Sequence, residues 1–179
     1  MIWFGDVLVA ATYPNNSINA PTSKSAVPVP VPAPAPAPNQ VPEGQWSTGL
    51  WDCSEDPSNC FITCFCPCIT LGRVAEIIDR GTPSCRVSGL IYYALGSVGC
   101  GWLFAGTYRS KLRAMFSLPE APCGDLLVHC CCCVCALCQE YRELKNRGAD
   151  PSIGWQANVE KWDGVGLKVP PIAAPGMAR

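Results

Sequence analysis

Apolar positions between Ile69 and Ile78 recur at helical spacing: Ile69, Val74, Ile77 and Ile78 fall together while Arg73 and Glu76 stay polar. The pattern predicts an amphipathic helix through ITLGRVAEIIDRG, with Gly81 as its stop. Two later stretches lose this alternation. Residues 87–106, VSGLIYYALGSVGCGWLFAG, hold no charged residue and reach about the length needed to cross a hydrocarbon core. Arg86 flanks one side; Arg109, Lys111 and Arg113 flank the other. The run predicts a membrane helix, with a buried helix of a soluble domain as the alternative. Its Gly89, Tyr93, Ser97 and Gly101 recur at steps of four, a face on which small residues let a second helix approach. The second run, LLVHCCCCVCALC, spans about 122–138 with its flank and merges into the charged QEYRELKNRG. It predicts one long helix that leaves the membrane near Gln139 and ends before Gly148.

Outside these runs the pattern dissolves. VPVPVPAPAPAP dominates residues 21–42, where alternate prolines deny a helix or sheet its donors. Residues 1–44 therefore predict a disordered extended arm, a spacer or a ligand for an SH3-like partner. DGVGLKVPPIAAPGMAR, residues 163–179, predicts a disordered tail. The folded part is expected over residues 45–162, opening with turn chemistry at Glu55-Asp56-Pro57-Ser58-Asn59. The fold class expected is mainly α: a small cysteine-rich membrane domain with two short hydrophobic helices between disordered arms. Basic residues on both sides of the runs leave orientation open, and a re-entrant or hairpin insertion with both tails cytoplasmic is preferred.

Composition sharpens this picture. Charged residues make up 15% of the chain, against roughly 25% in soluble domains, which favours a lipid bilayer as partner. The net charge of -1 offers no basic footprint for nucleic acid. Fourteen cysteines are far above ordinary usage. MIWFGDVLVAATYP lacks the basic start of a secretory signal, so the thiols are expected in a reducing compartment, where clusters bind metal or carry lipid more often than they form bridges.

The chemistry concentrates at two places. In CFITCFCPC, Cys60, Cys64, Cys66 and Cys68 crowd an apolar segment, and Pro67 removes a backbone donor between two thiols. Freed carbonyls and soft sulfur suit zinc, cadmium or copper(I). In the second run, Asp125, His129 and Cys132 or Cys133 recur at steps of about four, with Glu140 continuing the line. A carboxylate and the chain's one histidine at membrane depth are functional candidates, and a histidine hydrogen-bonded at a helix interface is the alternative. Overlapping two-residue gaps from Cys130 to Cys138 admit a structural zinc site, though an unbroken helix lacks the turns of a zinc ribbon. S-acylation of Cys130 to Cys133 competes with it, and disulfides stay open for Cys53, Cys85 and Cys123. No permanently bound cofactor is expected; Zn2+ or Cd2+ would be cargo or chelated ion. An enzyme is not expected either, because a nucleophile needs an organised base and only one histidine exists.

WSTGLWDC, CFITCFCPCITLGRVAEIIDRG and CALCQEYRELKNRGADPSIGW, in this order and spacing, closely resemble the plant cadmium resistance proteins, within the wider family of cell number regulators, fruit-weight regulators and the placenta-specific-eight domain. The likeness covers Trp46 to about Trp155. Cys60, Phe61 and Cys66-Pro67-Cys68 match the family's cysteine signature; Cys64 is extra to it, and Phe61 stands where many members carry a second cysteine. The resemblance implies a plasma-membrane homo-oligomer that confers cadmium resistance or handles zinc by lowering cellular metal. A second role lives in the same family as the alternative, control of cell number through membrane-associated signalling, and the cysteine-dense second run favours metal handling over it. For metal transport, several chains would have to assemble around one path, with Cys66, Cys68, Asp125, His129 and Cys132 along it.

Overall fold

The structure, a computed structural model, describes residues 44–166. The predicted arm before Gly44 and the tail beyond Gly166 lie outside the described residues. Among the described residues there are helices and turns and no strand. A short 3-10 turn at Cys53–Glu55 leads into α1, Pro57–Phe65, whose first turn is capped where the Asp56 carboxylate accepts from the Asn59 N–H at 3.1 Å. Proline at the helix start costs nothing there, since its missing donor would be unsatisfied anyway.

Pro67 plays the same part in α2, Pro67–Ile78, and forces what precedes it. A residue before proline is driven out of the helical region, and Cys66 sits at φ -137°, ψ 69°. The chain consequently turns by 115° between α1 and α2. Buried Thr63 and Thr70 tie the two arms by a hydroxyl pair at 2.8 Å. The predicted amphipathic helix is present: Leu71, Val74, Ala75, Ile77 and Ile78 are buried, and Gly81 ends it at φ +83°. Ile69, expected on that face, is exposed instead.

The apolar run 87–106 is not one helix. It divides between α3, Cys85–Ser97, and α4, Gly101–Phe116, and the break holds Gly99 at φ +79°, a conformation glycine adopts at little cost. Two residues of its small-residue face, Gly89 and Gly101, have close neighbours within the chain, while Tyr93 and Ser97 are exposed. A Cβ at Gly89 would stand 2.9 Å from the Cys68 carbonyl oxygen, and one at Gly101 would stand 3.2 Å from Gly96 and Tyr92. Gly72 lets α2 and α3 approach closely, since a Cβ there would run into the Cys85 carbonyl oxygen. Among the described residues no single helix is long and apolar enough to cross a membrane; the bent α1–α2 pair passes that test by length and composition only.

The second run likewise departs from one straight helix. α5, Asp125–Asn146, is broken at Cys132, φ -137°, ψ 50°. His129 Nε2 and Glu140 Oε1 stand 2.7 Å apart across eleven residues. A straight helix would separate those residues by about 16 Å along its axis, so the two halves must fold towards each other at Cys132. α6, Gly154–Val165, closes the chain, with the Trp162 indole donating to the Gly148 carbonyl at 3.0 Å. The main core joins Leu71, Val74, Tyr108, Leu112, Leu137, Tyr141, Leu144 and Trp162. Charged residues are absent from 57–72 and 87–108, and much of the apolar surface there is open: Phe61 is 67% exposed, Val98 71%.

Candidate functional site

The first bend carries most of the predicted thiols. Cys64 is exposed, while Cys60, Cys66 and Cys68 are partly exposed, and all fourteen cysteines are free thiols. Sequence reasoning missed two neighbours. Cys53, on the 3-10 turn, neighbours Cys135 of α5, and burial together with that thiol pushes Cys135 up to about 11. Cys138, facing Cys53 and Cys60, is raised to about 12, chiefly by burial. Cys135 and Cys138, so raised, are protonated at neutral pH, and a metal ion bound by them would have to displace protons. Among the described residues no group of three or more His, Cys, Asp or Glu side chains is arranged to hold a metal ion.

The second bend gathers charge. Arg109 of α4 is fully buried and lies between the two halves of α5. Its Nε is 3.4 Å from Asp125 Oδ1, its Nη1 3.4 Å from Glu140 Oε1, and its Nη2 donates to Gln139 Oε1 at 2.8 Å and to the Ala121 carbonyl at 3.3 Å. The Trp46 ring covers the guanidinium at 4.3 Å. Asp125 also accepts from Arg113 Nη1 at 2.6 Å and from Ser110 Oγ at 2.7 Å. Burial of both signs together is tolerable because each charge meets an opposite partner.

His129 completes the group with both ring nitrogens facing a partner. Nε2 meets Glu140, while Nδ1 lies 3.8 Å from Cys133 Sγ, which in turn is 3.1 Å from the Tyr92 hydroxyl. Burial opposes charging of the imidazole, but the Glu140 carboxylate and the Cys133 thiol outweigh it and raise His129 to about 9. The predicted line along one helix face thus becomes a convergence across a bend. Asp125 and His129 come from one half of α5 and Glu140 from the other, Cys132 is the hinge, and Cys133 opens the second half. The thiols at 60–68 belong to the other bend. What the sequence did not reveal is Arg109, read there only as a flank of a membrane run.

The order of these parts along the chain can be set beside known proteins. The PLAC8 family profile matches residues 46–143, the stretch from the Trp46 cover of Arg109 to Glu143 on α5. The chain belongs to the PLAC8 family. Its relatives include plant cadmium resistance protein 9 of Arabidopsis thaliana, 55% identical over 141 residues that make up 78% of this chain and 93% of the relative. Plant cadmium resistance protein 12 of the same plant is 56% identical, covering 78% and 86% respectively. Cell number regulator 1 of Zea mays is 53% identical, covering 75% and 74%. The relatives of this PLAC8 chain therefore carry names of two kinds, one for metal and one for growth. No solved structure matches it.

Proposed function

We propose that this chain is a plasma-membrane protein that raises tolerance to cadmium or zinc, working as a homo-oligomer that takes the ion as cargo on the thiols Cys60, Cys64, Cys66 and Cys68. One observation carries the reading: the first bend presents soft donors on a surface without charge, where Phe61 and Phe65 stand exposed beside Cys64. Thiolates favour such ions over Mg2+ or Ca2+, and an uncharged apolar surface favours a bilayer. The names of the Arabidopsis relatives support the metal, and the bent α1–α2 pair supports insertion by a re-entrant element.

The test is zinc and cadmium flux into sealed liposomes containing the purified chain, with Cys66→Ser/Cys68→Ser alongside. Protein-dependent flux that is lost in the double variant is the expected result. Metal binding without flux would make the protein a chelator, and neither binding nor flux would remove the metal reading. A second reading, a membrane-associated scaffold that regulates cell number, is favoured by the name of the Zea mays relative and by the lack of any single crossing helix among the described residues. It predicts that growth effects persist in the double variant.

A further inference from the structure

A single histidine, which from the sequence alone argued against catalysis, is placed by the fold where a nucleophile would need it. His129 Nδ1 faces Cys133 Sγ at 3.8 Å, and its Nε2 meets Glu140 Oε1 at 2.7 Å. Arg109 Nη1, 3.4 Å away, holds the same carboxylate oxygen from the far side. His129 and Glu140 are buried, whereas Cys133 is partly exposed, so of the three residues it is the one a reagent can approach. A thiol beside a base that a third group orients is the arrangement that activates cysteine. Two further features lie beside that sulfur. The Tyr92 hydroxyl lies 3.1 Å from it, and Cys133 is the first residue after the break at Cys132, at the positive end of the second helical half.

We propose that Cys133 is a nucleophilic thiol that accepts a long-chain acyl group from an acyl thioester, with His129 as its base and Glu140 as the positioning residue. The exposed residues of the elements that carry Tyr92 and His129 point to the substrate class. Leu90, Ile91, Leu126 and Leu127 are exposed on α3 and the first half of α5, the two segments that carry Tyr92 and His129, and neither segment adds a charged side chain to that outer surface beyond Arg86. An alkyl chain is matched by such a surface and a charged or sugar substrate is not. In the reaction, run near pH 9 where the imidazole is half neutral, the Cys133 proton passes to neutral His129 Nδ1 and Sγ attacks the thioester carbonyl carbon. As the new S–C bond is made, the donor's C–S bond breaks and the departing thiolate recovers the proton from His129. One thioester is consumed and one formed, with no change in oxidation state.

The inference is independent of metal handling by the thiols at 60–68. Its test uses the purified full chain in mild detergent, tagged palmitoyl-coenzyme A, no other protein, and hydroxylamine to release thioester-bound label. Expected are label on the unaltered chain and on Cys130→Ser/Cys131→Ser, none on Cys133→Ser, and an initial rate roughly 100-fold lower for His129→Asn and Glu140→Gln. Glu140→Asp should recover part of the rate, which a merely structural carboxylate would not do once circular dichroism shows each variant folded. Label retained in Cys133→Ser, or lost only in Cys130→Ser/Cys131→Ser, would overturn the proposal. So would an unaltered, folded chain that takes up no label. A chain that acylates at Cys133 yet neither binds nor moves metal would leave this inference standing and remove the metal reading.

Discussion

Two cysteines turn the chain in nearly the same way, Cys66 at φ -137°, ψ 69° and Cys132 at φ -137°, ψ 50°, yet different physics holds each bend. At Cys66 the cause is next door: Pro67 excludes the helical conformation, and one buried hydroxyl pair, Thr63 with Thr70, reinforces it. At Cys132 no proline is near, and the bend persists because Asp125, His129 and Glu140 close around Arg109. The first bend is written into the backbone. The second is a property of charges gathered from both halves of α5 and from α4, and it can be undone by changing Arg109, which lies on another helix.

The sharpest break of this comparison is Arg109→Met. It leaves Asp125 and Glu140 buried without their shared cation, and the expected cost is about 3–5 kcal/mol, read as a fall in urea-unfolding free energy. A change under about 1 kcal/mol would show that the second bend stands without its charges.

Next in size is pH. His129 is raised from 6.5 to about 9, so its contribution is fully present below about pH 6.5 and is lost as pH rises through about 9. The loss should be of order 3 kcal/mol between those values. Cys135 and Cys138, also raised, lose stability in the same direction at higher pH. The difference between the unaltered chain and Glu140→Gln therefore isolates the histidine; parallel pH curves for the two would refute the coupling.

The first bend should respond weakly to comparable surgery. Thr70→Val removes the hydroxyl pair while Thr63 keeps its bond to the Asn59 carbonyl, and about 1 kcal/mol is expected in the same unfolding measurement. Pro67→Ala should cost least, under about 1 kcal/mol, mainly through the freer unfolded chain. A loss as large as that of Arg109→Met would mean that the two bends do not differ in kind.

This contrast also marks what could be read from residues in order. α2 was legible because its apolar spacing, its proline start and its glycine stop are all local signals. The division of residues 87–106 was half legible: the glycines were visible, but an uncharged run of that length reads as one span until tertiary contacts are known. The family signature located the thiols at 60–68, and helical spacing picked out Asp125, His129 and Cys133. It could not show that Glu140 returns across eleven residues, because a periodicity assumes the straight axis that Cys132 breaks. Arg109 was invisible as a centre, since a flanking arginine and a buried one look alike in a sequence.

Residues 45–49 lie along the polar half of α5 like a strap. Ser47 donates to Glu143 from both its backbone N–H at 2.7 Å and its hydroxyl at 2.6 Å, Gln139 and Arg142 hold the Thr48 and Gly49 carbonyls at 2.9 Å, and Arg147 holds that of Gln45 at 2.9 Å. Trp46, within this strap, is the ring that covers Arg109. Mechanically, the strap makes a leash: a load applied to the chain ahead of residue 44 is delivered to the helix half that bears Glu140, and peeling five residues uncovers the arginine on which the second bend closes.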